Sequence, residues 1–103
     1  MYRLDHAYDR FRHFPGVELS LMPSEYIKRQ VYGTFQFETV GKDLVEFYGA
    51  DRMMWSSDYP HTDSPWPHSR EYIEGDAFSR ISPEETQKIV ADNAAELYHI
   101  SLS

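Results

Sequence analysis

The chain has 103 residues, a net charge of −7, 41% hydrophobic and 16% aromatic residues, and no cysteine. That composition excludes a disordered tail, and the acidic balance excludes nucleic acid and anionic membrane surfaces as partners, since both demand a basic patch. The lack of cysteine removes disulfides and thiolate chemistry and fits a cytoplasmic setting; no apolar run reaches the roughly 20 residues of a membrane span, and the first residues form no signal-peptide core.

A domain of this length buries only about two-thirds of its unfolded surface, so its core is thin. Residues 2–13 place Tyr2, His6, Ala7, Arg10 and Phe11 among charges at helical spacing, and Arg3, Asp5 and His6 are expected to pair along that helix. His13-Phe14-Pro15-Gly16 stops it, because proline disfavours helix in the residue before it and glycine ends helices cheaply. Residues 17–22 have no period, and Pro23-Ser24-Glu25 opens a short helix with proline in the first turn. Residues 30–38 alternate, with Val31, Gly33, Phe35 and Phe37 on one face, which predicts a strand. Thr39 is placed to cap a helix that runs to Tyr48 with Val40, Leu44, Phe47 and Tyr48 as its apolar stripe, and Gly49 is placed to end it.

Residues 52–57 read as a second strand. One helix between two strands is the length of a β-α-β crossover, so the pair is predicted to be parallel. A loop rich in proline and histidine runs from Tyr59 to His68, followed by a helix over 69–74 that Gly75 ends. The last helix is the clearest element: Ser82 caps it, Pro83 fills its first position, Glu85 completes a capping box, and Ile89, Val90, Ala94, Leu97 and Tyr98 form its stripe. With no repeat and no linker, residues 1–103 read as one unit.

The run Arg52-Met53-Met54-Trp55-Ser56-Ser57-Asp58-Tyr59-Pro60-His61 carries the chemistry. Asp58 is a carboxylate at the end of an apolar strand, and in parallel β/α architectures strand C-termini are where sites are built. It reads either as a metal ligand and base or as a cap for the turn after the strand. With His61, Asp63 and His68 it forms D-x-x-H-x-D-x4-H, a spacing far weaker than the paired ligands of a structural zinc site. Trp66, between two prolines, is the better candidate for a pocket wall; Trp55, inside the strand, reads as buried. The chain has no H-x-H pair, no H-E-x-x-H, no glycine-rich phosphate loop and no G-x-S-x-G.

Three stretches together resemble one family: Pro23–Tyr26 leading into Val31–Phe35, Gly49–His61, and Ile81–Glu85 running on to Asp92-Asn93-Ala94-Ala95-Glu96-Leu97-Tyr98. They are similar to the C-terminal part of the amidohydrolase-related, metal-dependent hydrolases and decarboxylases. The resemblance implies an α/β fold, the last two β/α units of a (β/α)8 TIM barrel. It implies that 30–38 is the seventh strand, 52–57 the eighth, and the helix from Ser82 the closing one. Asp58 then matches the family's catalytic and metal-binding aspartate, while His61 and Trp66 border a substrate pocket. The implied cofactor is a divalent metal, zinc or manganese, and the implied partner a small-molecule substrate. The reaction implied is hydrolysis of a C–N or C–O bond, or non-oxidative decarboxylation of a carboxylic acid.

Relatives also carry an H-x-H motif on the first strand and histidines on the fifth and sixth, a region that has no counterpart here. The expectation is therefore a truncated or split barrel, inactive alone, that self-associates or binds the missing portion. The rival expectation is a non-catalytic remnant or a small assembly module.

Overall fold

The computed structural model describes residues 1–36 and 41–102, without the side chains of residues 41 and 42. The expected strand residues Phe37 and Glu38, the cap Thr39 and the helical Val40 lie outside the described residues. The chain forms two compact units, Met1–Val31 and Tyr32–Ser103.

The first unit is a pair of helices, α1 (Tyr2–Phe11) and α2 (Pro23–Gln30). The chain leaves α1 at Arg12 and passes Gly16 at φ 84°, a left-handed conformation open to glycine at little cost. Pro23 occupies the first turn of α2, and the Glu25 carboxylate accepts the Met22 N–H at 2.8 Å. Asp5 corrects the expected pairing along α1: its carboxylate accepts the Ser24 N–H at 2.8 Å and so caps the neighbouring helix. The Ser24 hydroxyl and N–H hold that carboxyl below its ordinary range. Tyr8 ties the connecting segment to α1, its hydroxyl donating to the Leu19 carbonyl and accepting the Leu19 N–H.

The second unit holds the sheet. Strand β1 (Gly33–Phe35) leads through α3 (Gly41–Tyr48) and a 3-10 turn (Ala50–Arg52) to β2 (Met53–Trp55). The strands are parallel, in the register Gly33↔Met53, Thr34↔Met54, Phe35↔Trp55, as the crossover length predicts. Both are shorter than the expected 30–38 and 52–57. Residues 50–52, which contain the expected first strand residue Arg52, turn instead of extending. In β1, Phe35 is buried and Thr34 exposed, which keeps the predicted alternation. Met53 and Met54 are both buried, the mark of a strand covered on two faces.

Gly49 ends α3 at φ 95°, ψ 144°, a region that belongs almost exclusively to glycine. Among the described side chains of α3, Val45 is buried and flanked by half-buried Leu44 and Tyr48, while Phe47, expected inside, is 61% exposed. The core gathers Phe35, Val45, Ala50, Met53, Phe78, Ile81 and Ile89, with the Phe35 and Phe78 rings stacked at 5.8 Å.

Helix α4 (Ser69–Glu74) ends at Gly75, where an added Cβ would meet the Glu71 carbonyl at 3.0 Å. The closing helix starts as predicted: Ser82 Oγ accepts the Glu85 N–H, and the Glu85 carboxylate accepts the Ser82 N–H. It runs as α5 (Pro83–Gln87), a π turn (Lys88–Asp92) and α6 (Asn93–Tyr98). The Asn93 N–H bonds back five residues to the Lys88 carbonyl. That turn breaks the 3.6-residue phase on which the predicted stripe rests. Ile89, Asn93 and Ala95 are buried, and Tyr98, expected inside, is 66% exposed.

Lys88 Nζ reaches Asp51 Oδ1 at 2.6 Å, joining the π turn to the 3-10 turn. The ammonium holds the Asp51 carboxyl below its ordinary 3.8, and the carboxylate holds Lys88 above its ordinary 10.5. A depressed carboxylate contributes stability above its unfolded value and loses it as pH falls through the folded one; a raised lysine contributes below its unfolded value and loses it as pH rises through the folded one. The melting-temperature gap between wild type and Lys88→Met should therefore be largest between these limits. It should close on acidification below 3.8 and on alkalinisation past 10.5, as thermal melts across pH would show.

Candidate active site

The parallel ladder brings the C-terminal ends of β1 and β2 together. The Ser56 N–H donates to the Phe35 carbonyl at 3.0 Å, one residue past the strands proper. The Trp55 indole N–H donates to the Gln36 carbonyl at 3.0 Å, and its ring stacks on Tyr72 at 6.3 Å, so Trp55, expected to be buried, is half-buried and bonded within the fold. Just beyond lies an open recess of ≈ 230 Å³ lined by Thr34, Phe35, Gln36, Ser56 and Asp58.

Asp58 sits at φ 55°, a left-handed conformation that aspartate enters more readily than most residues. The turn around it is built by other groups. Its own N–H donates to Ser56 Oγ at 3.3 Å, the Tyr59 N–H donates to Ser57 Oγ at 3.4 Å, and the His61 N–H donates to the Asp58 carbonyl at 2.8 Å. The two serine hydroxyls thus do the capping that the sequence offered to the Asp58 carboxylate. That carboxylate is 61% exposed and has the His61 imidazole as its partner among the described residues, Oδ2 to Nδ1 at 3.6 Å.

Of the spaced cluster, Asp58 and His61 come together and the others do not. His68 pairs with Glu71 at 3.1 Å, at the start of α4. The main chain of Asp63 accepts the Gln36 carboxamide. Among the described residues no group of three histidine, aspartate or glutamate side chains converges on a point where a metal ion fits. Catalytic zinc sites take about three protein donors, and Asp58 and His61 are the two members of the spaced cluster that meet here.

Trp66 packs against Tyr59, ring centres 4.8 Å apart, both more than half exposed; neither Trp66 nor His61 lines the recess beside Asp58. Gln36 is the residue the sequence reading missed. Its carboxamide donates to the carbonyls of Ser57 and Asp63 and so spans the turn that carries Asp58. The sequence placed it inside the expected strand 30–38, on the face opposite Phe35, with no signal for this role.

A family profile described as amidohydrolase matches residues 3–100. No curated protein matches the sequence. Among solved structures, a dihydroxybenzoic acid decarboxylase from Polaromonas sp. JS666, with bound manganese and the inhibitor 2-nitroresorcinol, superposes with a TM-score of 0.70 at 24% identity, over 100% of this chain and 30% of that one. The 5-carboxyvanillate decarboxylase from Sphingomonas paucimobilis gives 0.69 at 28% identity, over 97% and 30%. A 2,6-dihydroxybenzoate decarboxylase from Rhizobium gives 0.69 at 21%, over 97% and 30%. The chain therefore spans about 30% of the length of these structures. Its fold is that of a C-terminal portion of a (β/α)8 barrel.

Replacing Gln36 with alanine removes the donor that crosses the Asp58 turn while leaving its main-chain bond to Trp55. The expected result is a loss of about 1 kcal/mol in a denaturant melt, the net worth of a typical hydrogen bond. Amide exchange should quicken over residues 58–64 and stay unchanged in α3.

Proposed function

We infer the function from one premise: this chain belongs to the amidohydrolase family. It supplies the last-strand corner of a metal-dependent active site, and Asp58 is the residue that carries it. The supporting observation is the placement of that carboxylate at the shared end of two parallel strands, with the capping bonds of its turn taken by Ser56 and Ser57. A carboxylate so placed can act as a metal donor and exchange a proton with a ligand in the recess.

The described residues provide this carboxylate and the neighbouring His61, and no complete donor set. The other donors of the site would come from barrel strands outside the third of the fold represented here. The metal, when bound, would polarise a substrate oxygen or activate water. Manganese is present in the Polaromonas structure, and zinc accepts the same donor types, so both belong in the test.

The reaction favoured is non-oxidative decarboxylation of an aromatic acid. The solved structures with this fold are named as decarboxylases of dihydroxybenzoate and 5-carboxyvanillate. Hydrolysis of a C–N or C–O bond is the second reading, supported by the family description alone.

The test is turnover of 2,6-dihydroxybenzoate by a complete barrel that contains this segment, loaded with manganese or with zinc. Release of carbon dioxide is expected. Asp58→Asn should lower kcat by roughly 100- to 10,000-fold, the range for removing a proton-transfer group, with an unchanged melt. Undiminished turnover by Asp58→Asn would remove Asp58 from the site.

A further inference from the structure

The beginning of β2 is gripped from outside the sheet. Asn93 is 5% exposed and is the buried polar residue among the described ones. Its Nδ2 donates twice, to the Ala50 carbonyl at 2.6 Å and to the Met53 carbonyl at 2.8 Å. These carbonyls bracket the 3-10 turn, and the Ala50 carbonyl also accepts the Met53 N–H. One carboxamide therefore spans the step where the chain stops turning and starts to extend. Five residues upstream on the closing helix, Lys88 holds Asp51 in the same turn at 2.6 Å. The π turn lies between the two grips.

We propose that Asn93 is a positioning residue for Asp58: its two hydrogen bonds fix where β2 begins, and the short ladder to β1 carries that placement to the strand's far end. The proposal rests on the reading of Asp58 as the functional carboxylate. The chemistry requires a carboxamide. Two carbonyls need two N–H donors on one short side chain, which serine, aspartate and leucine cannot offer. The path to Asp58 is short and stiff. From Met53 the chain runs through Trp55, anchored by its indole to the Gln36 carbonyl, to Ser56, anchored by its N–H to the Phe35 carbonyl. At about 3.3 Å per residue, a shift of Met53 along the strand axis must break these bonds or be passed to Asp58.

The experiment compares amide spectra of the full chain, wild type against Asn93→Asp, Asn93→Ser and Val45→Ala. Val45→Ala opens the core beside α3 and serves as the control for lost stability without a lost grip. All spectra are recorded well below each melting temperature. The Asn93 variants should displace the amide signals of Ser56, Ser57 and Asp58, and Val45→Ala should leave them in place at an equal loss of melting temperature. Unmoved signals in a folded Asn93 variant would overturn the proposal, as would equal displacement in Val45→Ala. If neither Asn93 variant folds, hydrogen exchange on the wild type decides. The Asn93 carboxamide protons and the Ser56 amide should then exchange through one shared opening, and independent exchange would overturn the proposal. Because the readout is backbone geometry and not turnover, failure here leaves the reading of Asp58 standing, and loss of that reading would leave these spectra as expected.

Discussion

Two hydrogen bonds from one buried carboxamide hold the start of the last strand, and the rest of the second unit is arranged around that point. A parallel pair of three-residue strands is too short to persist in water by itself, since two-stranded sheets are marginal even when longer. Here the pair persists because its first residues are clamped by Asn93 and its inner face is filled by Phe35, Met53, Phe78 and Ile89. Without the carboxamide the Met53 carbonyl would be left buried and unpaired, at a cost of about 1–3 kcal/mol, while the Ala50 carbonyl would keep the Met53 N–H. That is a large share of the stability available to so small a core.

The elements that depend on near neighbours were legible in the sequence. Ser82, Pro83 and Glu85 start the closing helix by bonds within one turn, and Gly49 ends α3 because its backbone angles suit glycine alone. The parallel direction of the strands was legible from the length between them. What escaped reading depends on partners distant in the chain. Asn93 lies in a run that reads as ordinary helix, and its partners stand 40 and 43 residues away. Asp5 reads as one charge on a helix face, yet it caps a helix 19 residues downstream. Phe47 and Tyr98 are apolar by type and exposed in fact, Tyr98 because the π turn shifts the phase of everything after it.

The site was legible to a similar degree. Asp58 stands at the strand end where the sequence placed it, and His61 comes to it through the turn. The weak D-x-x-H-x-D-x4-H spacing offered a wider acid and imidazole cluster, which the backbone pulls apart: His68 is committed to α4 and Asp63 serves through its carbonyl. Serine hydroxyls at 56 and 57 take the capping work, and a polar side chain from the neighbouring strand, Gln36, spans the loop. The outcome is a single carboxylate presented at the mouth of two parallel strands.

The most direct test of this account is the direction and register of the two strands in solution. Cross-strand nuclear Overhauser contacts should follow a parallel ladder pairing Gly33 with Met53, Thr34 with Met54 and Phe35 with Trp55, with the Ser56 amide protected by the Phe35 carbonyl. Contacts of an antiparallel pair, or a Ser56 amide that exchanges as freely as the chain terminus, would contradict it and leave Asp58 with no strand mouth to occupy.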